Sequence, residues 1–194
     1  MERKNIYIYL FDGYSDWEVS YIMPEIRKNA HYRLITVSDK GRAVMSSGGL
    51  RVLPDVSVEE INLANATMFI LPGGKLWETQ LPTDIRIDAV INYALAQGMM
   101  IAGICGATAY LGKKGVLDNR FHTSNDVSYL KALAPAYTGD KLYLNSLAAS
   151  DDLIITASGI GAVEFTREIM LQLLFEKQYI EQWFELFKNG NLVA

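Results

Sequence analysis

Cys105 is the only cysteine in the 194 residues, and the residues around it define what it could do. Met99-Met100-Ile101-Ala102 is an apolar run of the kind that forms a buried strand. Gly103 and Gly106 then permit a tight turn, and Ala107-Thr108-Ala109-Tyr110-Leu111 continues without a breaker until Gly112. A strand that passes directly into a helix through such a turn is a nucleophile elbow. The sulfur at its apex faces a helix N-terminus, whose free N–H groups and dipole favour the thiolate. The expectation is therefore a thiol pKa below the ordinary value of about 8.5. A thiolate that adds to a carbonyl creates an oxyanion, and backbone N–H groups stabilise it where glycine lets the chain approach closely. Gly106 is one such residue, and Gly74 in Pro72-Gly73-Gly74 is another. The competing reading of a lone cysteine is inert packing, and the competing reading of each glycine is a plain turn.

The two histidines, His31 and His122, are far apart and neither adjoins the cysteine. With a single cysteine they offer no compact metal-ligand set, and the glycine-rich pieces match neither phosphate-binding fingerprint. No metal and no nucleotide cofactor is expected.

The elements that must position these groups alternate along the chain. Strands are predicted at Ile6–Phe11, Tyr32–Val37, Thr67–Leu71, Met99–Ile104 and Leu153–Thr156, most of them apolar enough to be covered on both faces. Ser15 or Asp16 can cap a helix running to about Ala30, with a kink or break at Pro24. Ala43–Met45 and Leu50–Leu53 flank Ser46-Ser47-Gly48-Gly49 as a hairpin, followed by a helical turn at Ser57–Ile61. Further helices are predicted over Thr83–Gln97, with Ile85, Ala89, Tyr93 and Ala96 facing inward, and over Val127–Leu133, Ala162–Leu174 and Lys177–Lys188. Arg120-Phe121-His122 and Leu142-Tyr143-Leu144 read as short strands. Alternating strands and helices make a mostly parallel sheet with helices on both faces, in which ligands sit beyond the carboxyl ends of the strands. Asp12, Gly73-Gly74, Cys105 and Ser158-Gly159 all fall at such ends.

Length and composition suit one domain over residues 1–194, half hydrophobic and about a fifth charged. A net charge of −4 argues against nucleic acid as a partner. The start of the chain reads as a first strand rather than a signal peptide, and no run approaches the length of a membrane span. The expected setting is the cytoplasm.

Three segments carry a resemblance. Leu71-Pro72-Gly73-Gly74, Ala102-Gly103-Ile104-Cys105-Gly106-Ala107-Thr108 and Thr156-Ala157-Ser158-Gly159 together resemble the ThiJ/PfpI superfamily, which belongs with the class I glutamine amidotransferase-like proteins. The resemblance spans essentially the whole chain. It implies a flavodoxin-like three-layer α/β/α sandwich, commonly a homodimer, with a small-molecule substrate. Asp12-Gly13-Tyr14-Ser15-Asp16-Trp17-Glu18 resembles the stretch that supplies an acidic partner to the cysteine, with Glu18 as that partner and Asp16 as the alternative. Gly73, Trp77, Thr108, Ser124, Asn125 and Ser158 join them as pocket candidates.

Histidine is where the chain departs from the family. Gly106 stands where the protease-like branch has a histidine, and Ser124 falls near the position where other members carry one. His122, two residues earlier, shares a strand face with Ser124 and is either a base or a satisfied structural residue. Leu153–Gly161 lacks the histidine of a glutaminase triad, which argues against glutamine hydrolysis. The expected activity is a Cys105-dependent hydrolysis or hydration of a small reactive carbonyl compound, in the manner of family glyoxalases and deglycases. The alternatives are a redox or stress sensor that works through oxidation of Cys105 and, third, a peptidase.

Overall fold

The computed structural model describes residues 2–191. β1 (Lys4–Tyr9) is an interior strand of the sheet, with Ile6, Tyr7, Ile8 and Tyr9 all buried, because helices cover both of its faces. It pairs in parallel with β2 (Tyr32–Ser38) on one side and β6 (Ala66–Leu71) on the other. β7 (Met100–Ile104) continues from β6, and β9 (Ile154–Ala157) from β7, again in parallel. The two-residue β5 (Val56–Ser57) forms one edge of this seven-stranded sheet. β8 (Ala148–Asp151), the one antiparallel strand, forms the other, giving the order β5-β2-β1-β6-β7-β9-β8. β3 (Val44–Met45) and β4 (Arg51–Val52) make a separate hairpin.

Among the described residues seven helices flank the sheet: α1 (Ile22–Lys28), α2 (Leu76–Thr79), α3 (Asp88–Ala96), α4 (Gly106–Lys113), α5 (Val127–Leu133), α6 (Ala162–Gln172) and α7 (Lys177–Asn189). α1, α6 and α7 pack together, as do α2, α4 and α5, with α3 against β7. This is the expected flavodoxin-like α/β architecture. No helix among the described residues is long and apolar enough to cross a membrane.

Several local expectations are corrected. The helix expected from Ser15 starts at Ile22 instead, after a 3-10 turn over Asp16–Glu18. Pro24 then sits in the first turn, where its missing N–H has no intrahelical acceptor to lose, so it neither kinks nor breaks the helix. The helix expected over Thr83–Gln97 is a 3-10 turn at Pro82–Asp84 followed by α3. Its inward face is Ile87, Ile91 and Ala94, not Ala89, Tyr93 and Ala96, because Asp88 turns inward to meet Lys114 and Tyr110. Leu142 closes a 3-10 turn, and the strands expected at Arg120–His122 and Leu142–Leu144 reduce to one bridge between His122 and Tyr143. The edge strand forms instead at Ala148–Asp151.

Candidate active site

Cys105 stands between β7 and α4 with φ 55° and ψ −120°, the backbone of an elbow rather than of either neighbouring element. A side-chain-bearing residue held at positive φ costs about 1–3 kcal/mol and persists only where its surroundings over-determine it. Here its N–H donates to Ala157 O at 2.9 Å, tying the elbow to the end of β9. Its carbonyl accepts from Thr108 N at 3.0 Å and from Thr108 Oγ1 at 2.6 Å, closing the first turn of α4. Thr108 therefore braces the turn from within and does not line a pocket. Cys105 as a whole is half-buried.

Glu18 ends the 3-10 turn after β1 and is fully buried. Its Oε2 accepts from Gly73 N at 2.6 Å, while Oε1 has no nitrogen or oxygen partner and is left to the Cys105 thiol. Two glycines allow this closeness. A Cβ at Gly73 would sit 2.6 Å from Cys105 Cβ and 2.7 Å from Glu18 Oε2, and one at Gly159 would sit 3.0 Å from Sγ and 3.2 Å from Glu18 Oε1. Burial pushes the Glu18 carboxyl up to about 7, against hydrogen bonds from Gly73, Cys105 and Ser15 that pull it down.

The thiol moves opposite to the expectation. Burial, joined by the charge of ionised Glu18, pushes it up to about 11, and this outweighs the Asn125 and Gly106 hydrogen bonds that favour the thiolate. An ionised Glu18 thus opposes the thiolate, whereas a protonated one exerts no such repulsion. The two groups titrate as a pair.

Asn125 spans the mouth. Its Nδ2 donates to Cys105 Sγ at 3.3 Å and its Oδ1 accepts from Gly159 N at 2.8 Å. The second bond fixes the amide orientation, so that the sulfur always meets a donor. Gly159 O accepts from the indole Nε1 of Trp17 at 3.3 Å, which completes a chain of contacts from the β1–α1 loop to the thiol. On the other side, the N–H of Gly106 opens α4, where it has no intrahelical acceptor, and approaches the sulfur. A Cβ at Gly106 would lie 3.2 Å from Gly74 N, so the two backbone groups are neighbours. Gly74 has φ +150°, and a side chain there would meet the ring of Phe11 at 2.6 Å.

The remaining candidates lie elsewhere. Asp16 accepts from Ser46 Oγ at 2.6 Å and so braces the hairpin, not the thiol. Trp77 is fully buried under the Gly73-Gly74 loop, donating to Pro72 O at 2.7 Å and packing against Phe11 and Tyr110. Ser158 is buried, with its N–H on Leu147 O and its carbonyl on Gly161 N. Ser124 Oγ donates to Asp126 O at 2.8 Å and serves the start of α5.

His122 is fully buried with both ring nitrogens engaged. Nδ1 donates to Arg120 O at 2.7 Å, and Nε2 accepts from Tyr137 Oη at 2.6 Å. Burial lowers its pKa, which suits this neutral tautomer. The geometry gives it a structural place and no contact with Cys105. Trp17 and Gly159 carried no marker as site residues beyond the strand end and the acidic segment they occupy.

The model of the DJ-1/PfpI family matches residues 4–172. The chain belongs to the DJ-1/PfpI family. It is 34% identical to the "Uncharacterized protease YoaZ" of Bacillus subtilis (strain 168), over 97% of this chain and 93% of that protein. Among solved structures, a thiJ/pfpI family protein from Bacillus anthracis superposes with a TM-score of 0.90 at 35% identity, covering 98% of this chain and 93% of that one. The DJ-1 superfamily protein Atu0886 from Agrobacterium tumefaciens gives 0.86 at 31% identity, covering 96% and 98%. In this DJ-1/PfpI chain the side chain that donates to the sulfur of Cys105 is an asparagine amide, and both ring nitrogens of His122 are engaged elsewhere.

Proposed function

We propose that this DJ-1/PfpI protein is a cysteine-dependent enzyme that hydrates or hydrolyses a small reactive carbonyl compound. The observation that carries this reading is the buried Glu18 carboxyl with one oxygen left to the Cys105 thiol at a strained elbow. With an α-oxoaldehyde, the sulfur bonds to the aldehyde carbon, and the N–H groups of Gly74 and Gly106 receive the developing oxyanion. Glu18 is the titratable side chain at the sulfur. It takes the thiol proton to start the addition and returns it to a substrate oxygen, and the carboxylate so regenerated moves a proton from the former aldehyde carbon to the neighbouring carbonyl carbon. Water then displaces the sulfur from the resulting thioester. The net change is addition of one water to give a 2-hydroxy acid, with no external oxidant. Asn125 is no alternative base, because a neutral amide does not take up a proton and it faces the sulfur with its donor Nδ2.

The test is loss of methylglyoxal by absorbance, with chiral analysis of the lactate formed. Cys105→Ser abolishes turnover, Glu18→Gln lowers kcat at least about 100-fold, within the range of general acid–base contributions, and His122→Asn keeps it. Absence of turnover in the wild-type protein overturns the proposal. The proposed working unit is a cytoplasmic homodimer, for which light scattering at micromolar concentration is the check. The Bacillus subtilis relative YoaZ is named an uncharacterized protease, which suggests peptidase activity, but Gly106 places no base next to the thiol along the chain.

A further inference from the structure

We propose that Trp17 and Ile160 set the substrate range of the Cys105 site, and that the carbonyl compound it takes carries an aromatic substituent. This rests on the reading of Cys105 as a carbonyl nucleophile.

Trp17 is 53% exposed, whereas the other two tryptophans, Trp77 and Trp183, are buried. Lone exposed apolar side chains are ordinary. This one is held in place: it adjoins Glu18 on the same 3-10 turn, and its Nε1 is bonded across the mouth to Gly159 O at 3.3 Å. The bond occupies the polar edge of the indole and leaves much of its apolar surface in solvent. Gly159 in turn borders the reacting groups, since a Cβ there would meet Sγ at 3.0 Å and Glu18 Oε1 at 3.2 Å. The next residue, Ile160, is 84% exposed. One apolar side chain is therefore joined to Gly159 by a hydrogen bond and the other by the chain itself.

The polar side chains of the same loops already hydrogen-bond to the protein itself. Asn125 is bonded at both ends, Asp16 is held by Ser46 and by the N–H of Trp17, and Asp126 accepts from Ser128 N. A polyhydroxylated, sugar-derived carbonyl would find few partners there, whereas a flat apolar ring finds the indole and the Ile160 side chain. An aromatic pair contributes about 0.5–1.5 kcal/mol beyond area burial, so the discrimination expected is about ten-fold.

The experiment compares S-alkylation of Cys105 by 2-bromoacetophenone and by bromoacetone. In each, a carbon–sulfur bond forms as bromide leaves, and the product is read by intact mass. The aryl-to-methyl rate ratio is divided by the same ratio for 2-mercaptoethanol. The normalised ratio is expected at about 10 in the wild type, retained in Trp17→Phe, and close to 1 in Trp17→Ala and in Ile160→Ser. A wild-type ratio near 1, or one that survives Trp17→Ala, overturns the assignment. So does failure of iodide to quench the emission lost in Trp17→Phe, which would mean that another copy covers the indole. Turnover of phenylglyoxal and methylglyoxal, run in parallel, separates the two proposals. A preserved alkylation preference with no turnover of either compound sinks the enzyme reading alone. Turnover of both with equal kcat/KM sinks the substrate-range proposal alone.

Discussion

At the scale of single residues, the Cys105–Glu18 pair controls reactivity. Burial first, and then the charge of the ionised carboxyl, push the thiol up to about 11 beside Glu18, because once either group has ionised the charge left behind opposes the second ionisation. Thiolate absorbance and chemical shifts of the Glu18 carboxyl should resolve two steps in the wild type, the second near that value. Glu18→Gln should show one thiol step at lower pH, since no second negative charge then enters the crevice; a thiol that still titrates near 11 would remove the coupling. Asn125 acts in the opposite sense. Asn125→Ala deletes the donor on Sγ, a loss of about 1 kcal/mol, so iodoacetamide alkylation near pH 7 should slow about five-fold. Asn125→Asp should slow it further by adding a negative charge. His122 belongs to stability. His122→Ala leaves Tyr137 Oη and Arg120 O without their partner and should cost about 2–4 kcal/mol in urea unfolding while alkylation of Cys105 persists.

At the scale of elements, the elbow stores strain that can be measured. Cys105→Ala keeps a Cβ at φ 55°, whereas Cys105→Gly removes it. The glycine variant should therefore be the more stable of the two by about 1 kcal/mol, despite its freer unfolded chain, and melt about 2–4 °C higher. Equal melting temperatures would mean that the elbow is relaxed. The elements that were legible in the amino-acid sequence are those with one dominant cause. β1, β6, β7 and β9 are apolar runs because both of their faces are covered, and the glycines around Cys105 announce the turn. The elements that were not legible depend on distant partners. β8 reads Ala-Ala-Ser-Asp and exists because β9 offers it an edge. α3 turns a different face inward because Asp88 finds Lys114, 26 residues on. The proximity of Glu18 to the thiol came through resemblance, but its burial rests on Gly73, 55 residues away. The upward shift of the thiol was invisible for the same reason: the helix N-terminus is written in the local sequence, and the desolvation that outweighs it is not.

At the scale of the whole molecule, a carboxyl that binds its proton more tightly when folded links stability to pH. Glu18 rises from 4.5 to about 7 on folding. Its contribution is fully present below pH 4.5 and is lost as pH climbs through 7, a change of about 3 kcal/mol. Urea midpoints should fall between roughly pH 5 and pH 8 in the wild type and change much less in Glu18→Gln, which should be the more stable protein at the higher pH. Parallel urea profiles for the two proteins would contradict the raised carboxyl. The two ends of the sheet have a consequence of another kind. An open sheet exposes unpaired backbone groups along its outer strands, and those are the template on which chains aggregate. Here one outer strand, β5, has only two residues, and the other, β8, has four and runs antiparallel to its one neighbour, β9. Asp151 closes β8 with a carboxylate that accepts from Phe121 N at 2.7 Å. A seven-stranded sheet thus offers another chain almost no ladder to extend, and the protein can stay colloidally well behaved at high concentration even with its apolar strands packed side by side.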